Sequence, residues 1–197
     1  DCTDGFPDND CSSQTLCLDD GLDDAESGYA VYGTGINQKS GSDLALCGFS
    51  GGDALLSGET SSNDGYGGAH LLSFPGSEAT TDGAEYTWVS TSEDLGFGTS
   101  VDCGDIVGGG APDIAIAGSG SSGQGVYIFD GEDLSPGMEE SEAGYFVELE
   151  PSGVVASRTL LRDLTGDGDA DLLVSAHRQS KGLLFVADGD LMGSGIV

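Results

Sequence analysis

The sequence predicts an all-β protein of antiparallel, four-stranded units, and three observations carry that reading. Apolar residues come in runs of strand length, alternating or continuous, and rich in β-branched and aromatic types. The runs are bounded by Gly, Asp, Ser and Pro, and glycine reaches 35 of 197 residues, which indicates frequent tight turns. The runs also repeat in one order along the chain.

Residues 1–26 form an acidic, cysteine-containing segment whose only apolar, strand-like run is "QTLCL", residues 14–18. The strand runs begin after it. A first unit, 27–92, holds "YAVYGTG", "DLALCGF", "AHLLSF" and "EYTWVS". A second, 93–151, holds "FGTSVDCGD", "PDIAIAG", "QGVYIFDG" and "GYFVELE". A third, 152–197, offers three strands, with "DLLVSA" and "GLLFVADG" the clearest, before "MGSGIV". Only "MEESEAG" has helical propensity, and it is short.

The second and third units align closely. "PDIAIAGSGSSGQGVYIFDGEDL" matches "ADLLVSAHRQSKGLLFVADGDLM" in its Asp, apolar run, polar turn, second apolar run and Asp-Gly. Asp105 falls on Asp163 and Asp113 on Asp171. In the weaker first copy Asp43 takes the Asp171 position, so the anchors lie 70 and 58 residues apart. That is the size of a four-stranded propeller blade with loops.

Charge narrows the function. The formal net charge is −30, from 35 acids and 5 bases, which excludes nucleic acid as a partner and opposes docking on an anionic membrane. Self-repulsion on this scale favours neutralisation by cations, and calcium is the hard cation that prefers carboxylate and carbonyl oxygen. No run is long and apolar enough to span a bilayer. The abrupt start "DCTDG" fits a mature secreted chain. Five cysteines without a CxxC pair suit an oxidising compartment better than a zinc site. Cys2, Cys11 and Cys17 share the first segment, and Cys2–Cys11 is the expected local pair because Cys11–Cys17 closes a smaller loop. Cys47 and Cys103, in neighbouring units, are a second available pair.

The stretch "LGFGTSVDCGDIVGGGAPDIAIAGSGSSGQGVYIFDG" resembles an FG-GAP repeat of the kind found in integrin α-subunit β-propellers and bacterial secreted proteins. Phe97-Gly98 matches the FG element, while the GAP element is replaced by "AGS" and, in the third copy, "SAH". The resemblance covers roughly residues 27–189. It implies propeller-like blades, three of them recognisable here and either part of a larger set or assembled between chains. It also implies an adhesion or surface-display role and a calcium loop of the form D-x-[DN]-x-D-G-x-x-D between the first two strands of a blade.

The third unit supplies that loop as Asp163, Thr165, Asp167, Gly168, Asp169 and Asp171. Asp163, Thr165, Asp167 and Asp171 would point oxygens inward and Asp169 would offer its backbone carbonyl. An EF-hand begins alike but requires a Glu at its twelfth position, which here is Val174, inside an apolar strand. The second unit keeps Asp105 and Asp113 but has Val107 and Gly109 between them. The first offers Asn37, Lys39 and Asp43, with a lysine aimed where the ion would sit. One good loop among three is therefore expected. At the start of the chain "TDGFPDNDC" resembles the end of a thrombospondin type 3 repeat, which implies a further calcium site at Asp4, Asp8 and Asp10.

Two motifs imitate enzymes. "GFSGG" matches the G-x-S-x-G nucleophile elbow around Ser50, but an elbow needs a helix after the serine, and "GGDALLSGE" is brief and Gly-rich. "GSGSSG" matches G-x-G-x-x-G, but a second strand follows it in place of a helix. The expectation is an extracellular or cell-surface calcium-binding scaffold or adhesion module without catalytic activity, taking a protein or glycan ligand. The alternatives are a self-assembling filament subunit that donates "QTLCL" as a strand, a run that could equally close the third unit within its own chain, and an accessory domain of a secreted hydrolase.

Overall fold

The computed structural model describes residues 30–33, 39–61, 66–73, 78–91, 96–120, 123–150 and 153–189. The fold is all-β, with fourteen strands and two single-turn 3-10 segments among these residues. The acidic first segment, with Asp4, Asp8, Asp10, the Cys2–Cys11 pairing and the "QTLCL" run, lies outside them, as do Asn37 and "MGSGIV".

The first main sheet contains β2 (Ser40–Phe49), β3 (Gly52–Glu59), β4 (Gly68–Ser73) and β6 (Tyr86–Val89), antiparallel in that order. The second contains β7 (Ser100–Gly104), β8 (Asp113–Gly120), β9 (Gly123–Phe129) and β11 (Tyr145–Glu148). The third contains β12 (Val155–Arg162), β13 (Asp171–Arg178) and β14 (Lys181–Ala187). Each therefore runs as a meander, which is what alternating patterns joined by short Gly-rich turns produce.

Two short parallel pairings link neighbours. β10 (Met138–Glu139), in the connection from β9 to β11, pairs with β6 of the first sheet. In the same way β5 (Glu78–Thr80), in the connection from β4 to β6, pairs with β1 (Ala30–Tyr32). A 3-10 turn follows each, at Thr81–Gly83 and Glu140–Glu142, so "MEESEAG" forms one helical turn and no more. The first copy's opening run thus leaves the sheet of its own unit and stands to the first sheet as β6 stands to the second.

The second sheet is buried on both faces. Ile114, Ile116, Tyr127 and Phe129 pack toward Ala54, Leu56, Leu71 and Trp88 of the first sheet. Ala115, Ala117, Val126 and Ile128 pack toward Leu172, Val174 and Ala176 of the third. Tyr127 meets Phe97 edge-on at 5.4 Å, and Trp88 meets Phe129 at 5.9 Å between ring centres. Trp88 is fully buried. The innermost strands carry the polar ties between sheets. Asp43 accepts Val101 N–H at 3.0 Å, Ser100 Oγ–H at 2.6 Å and Arg158 Nη1 at 2.6 Å. Asp102 accepts Leu161 N–H at 2.8 Å and Arg162 Nη1 at 3.0 Å. Cys47 and Cys103 form a disulfide between β2 and β7, with Cα atoms 5.8 Å apart.

The Phe97-Gly98 turn is the wedge between the first two sheets. Gly98 has φ +84, and a Cβ there would lie 2.0 Å from the Gly68 carbonyl oxygen, so both its conformation and its surroundings require glycine. Ser42 Oγ donates to the Gly98 carbonyl at 2.9 Å, and Gly98 N–H donates to Ala117 O at 3.0 Å, tying the turn to both sheets.

Candidate metal centre

The acidic loop, residues 163–170, joins β12 to β13, the first and second strands of the third sheet. Asp163 curls it: its carboxylate accepts Gly166 N–H at 2.6 Å and Gly168 N–H at 3.2 Å. Gly166 and Gly168 have φ +82 and +107, a region that a side chain disfavours. Asp167 accepts Asp169 N–H at 3.0 Å. Asp163, Thr165 and Asp167 are exposed and Asp169 is half-buried.

Asp171 is differently employed. It is 1 % exposed and accepts three backbone N–H groups, from Leu164 at 2.7 Å, Thr165 at 3.1 Å and Gly189 at 3.2 Å. Asp113 repeats the arrangement in the second sheet, accepting from Ile106, Val107 and Gly131, each at 2.8 Å. Each aspartate therefore closes the loop before its strand and holds the Asp-Gly turn that follows the next strand. The shared position was legible in the sequence. Its use as a staple was not, because "DG" and "PD" read equally well as turns or ligands.

The two carboxylates differ in their balance of forces. Burial pushes the Asp113 carboxyl above its ordinary value of 3.8; the three N–H donors pull it down, and the Asp130 carboxylate adds to the rise. Asp171 is held below that value, chiefly by the Leu164 N–H, with burial opposing.

The predicted ligands thus divide. Asp163, Thr165, Asp167 and the Asp169 carbonyl lie on the exposed loop and supply only hard oxygen donors, which fits calcium in kind. Asp171 has three of its four lone pairs committed to N–H groups, leaving one for an ion. No group of three His, Cys, Asp or Glu side chains is gathered tightly enough to hold a metal among the described residues.

In the second unit Asp105 accepts Gly110 N–H at 2.9 Å, and no carboxylate occupies the middle of that loop. The first unit departs from the sequence reading. Asp43 lies on β2, the first strand of its sheet, and not at the start of the second; Ser50 and Gly51 alone connect β2 to β3. The first sheet therefore has no acidic loop between its first and second strands.

Ser50 sits in that hairpin turn, with strands on both sides and no helix to form an elbow. It borders an open cavity of about 770 Å³ lined by Phe49, Asp53, Leu71, Glu85, Tyr86 and Leu134 among others. Neither histidine lines it. His70 Nε2 lies 2.8 Å from Glu59 Oε2, and His177 Nδ1 lies 3.0 Å from Ser157 Oγ. "GSGSSG" spans the end of β8 and the start of β9. No protein-family model matches the chain, and no curated protein matches it.

Proposed function

We propose that the chain is an extracellular scaffold or adhesion module of FG-GAP-like propeller blades, stabilised by calcium at the third blade and binding a protein or glycan ligand without chemistry of its own. The observation that supports it best is the acidic loop. A nine-residue segment with four carboxylates is curled around Asp163 by two positive-φ glycines and stapled at its base by Asp171. Asp163, Asp167, Thr165 and the Asp169 carbonyl would hold the ion, with Asp171 contributing its remaining lone pair. Calcium there would relieve repulsion between the loop carboxylates and lock the β12–β13 connection. The Cys47–Cys103 disulfide is compatible with an oxidising, extracellular setting.

The test is thermal unfolding in millimolar calcium and in chelator. Calcium should raise the midpoint of the wild-type chain, and Asp167→Ala should abolish the difference while leaving the midpoint in chelator nearly unchanged. A calcium shift of full size in Asp167→Ala removes this loop as the site.

A second reading, a self-assembling subunit, is favoured by β14. Among the described residues it is paired only on its β13 side, while the corresponding β9 and β4 are paired on both.

A further inference from the structure

The sheets pack in one sense along the chain, and the sequence of faces leaves two apolar surfaces over. The second sheet presents the Ile114 and Ile116 face to the first sheet and the Ala115 and Ala117 face to the third. Sheet three turns its equivalent of the former, Leu172 and Val174, onto sheet two. Its other face carries Val155, Leu173, Leu184 and Val186, by cross-strand register. Val126 and Ile128, at the positions of Leu184 and Val186, are fully buried in the second sheet, whereas Leu184 is 70 % and Val186 59 % exposed. On the first sheet the face turned away from the second exposes Leu44, Leu46 and Val89 on its two flanking strands, while Leu72, Ser57 and Glu59 between them are buried. Six of the seven exposed large apolar residues among those described lie on these two faces, Leu164 being the exception. Single exposed leucines need no explanation, but concentration on two flat faces does.

The strand edges show the same complementarity. β1 is the parallel neighbour of β5 as β6 is of β10, so it occupies the place of a last strand belonging to a sheet in front of the first. β14 is an edge without its last strand among the described residues.

We propose that a second copy of this chain takes up both the exposed apolar residues and the β14 edge. The exposed face of β12–β14 in one copy packs against the exposed Leu44 and Leu46 side of β2 in the other, and β1 of the latter adds antiparallel to β14 of the former, as β11 adds to β9. The occupant follows from continuity: each internal contact joins one type of face to the other, and one of each type remains. Charge agrees. Residues 153–189 hold four of the five bases against five acids, a net −1 in a chain of −30, so the third sheet is where like-charge repulsion between copies is smallest. The contact is heterologous, so two copies close a ring of six sheets if the rotation permits, and otherwise extend as a filament. This inference deepens the self-assembly reading and is independent of the calcium loop. It replaces "QTLCL" with β1 as the donated strand.

The experiment is sedimentation equilibrium of the full chain from about 1 to 100 µM, in calcium and in chelator. The expected mass is at least twice the 19.8 kDa of one chain. Leu184→Glu with Val186→Glu, and separately Leu44→Glu with Leu46→Glu, should each weaken association at least about 100-fold. Circular dichroism and Trp88 emission should stay unchanged, because all four positions are exposed. Mixing the two variants should restore a single-contact dimer, since each keeps the face that the other lacks. A wild-type mass of one chain throughout, or an oligomer untouched by both variants, overturns the proposal. Loss of the calcium shift with association intact removes only the calcium reading.

Discussion

Replacing Asp113 by alanine and by asparagine separates the two things its carboxylate does. It is fully buried and accepts three N–H groups, from Ile106, Val107 and Gly131, each at 2.8 Å. Its pKa is raised in the fold, first of all by burial, so the ionised form is held there against a desolvation cost. Alanine orphans all three donors, and at about 1 kcal/mol or more for each the loss is about 3 kcal/mol. Asparagine keeps an oxygen for Ile106 and Val107, gives up the Gly131 bond and removes the buried charge. Its loss is about 1 kcal/mol. Because the folded pKa lies above the unfolded one, protonation favours the fold, and the wild type's penalty at this site appears as pH rises through the folded value. The asparagine variant has no such penalty, so it should compare worst with the wild type in mild acid and best at neutral pH. Urea unfolding followed by Trp88, the sole tryptophan and fully buried, reads all of this. Equal losses for the two variants, or an alanine loss below about 1 kcal/mol, would refute the staple.

Asp171 should behave oppositely. Its folded pKa is lowered, so its stabilisation is present above the ordinary carboxylate value of 3.8 and is lost as pH falls through the folded value. Asp171→Asn should therefore flatten the acid end of the stability curve, measured by urea midpoints between pH 2 and 6. Cys47→Ser with Cys103→Ser should cost about 4 kcal/mol at 25 °C on the chain-entropy account for a loop of this size, read by urea unfolding; the sequence separation is 56 residues. A loss below about 1 kcal/mol would show that the sheets hold the two strands together unaided.

The strands were legible wherever a run's own pattern decided them. "DIAIAG" and "DLLVSA" lie within strands, and "GVYIFDG", "GYFVELE" and "GLLFVADG" each have their apolar part in one, since a sustained apolar pattern leaves the backbone little choice. The match of Asp113 to Asp171 holds to the level of individual N–H donors. The first unit was misread because "DLALCGF" resembles "DIAIAGS" in pattern. Pattern alone does not say whether such a run is the first or second strand, and the acidic loop that marks the difference is replaced by Ser50-Gly51. The pairing of β10 with β6 could not be read, because two residues, Met138 and Glu139, have no periodicity. The tie from Glu140 to Thr91 is equally silent in a chain where acids are common. For the metal loop, spacing supplied the candidates, but sequence does not reveal how many lone pairs backbone N–H groups have already taken.

The parallel contact of β10 with β6 sets an order on biosynthesis. The outer strand of the first sheet gains its neighbour only when Met138–Glu139 arrives, and Thr91 gains its two hydrogen bonds only with Glu140, 49 residues downstream. At translation rates of roughly 5–20 residues per second, the first sheet waits roughly 2–10 s with that edge bare. Cys47 waits slightly longer for Cys103, 56 residues on, and during that interval Cys2, Cys11 and Cys17 are already on the emerging chain. Early oxidation would therefore trap the wrong partner. Correct pairing depends on the second sheet docking before the first thiol is spent, so the yield of native protein should rise when oxidant is supplied late.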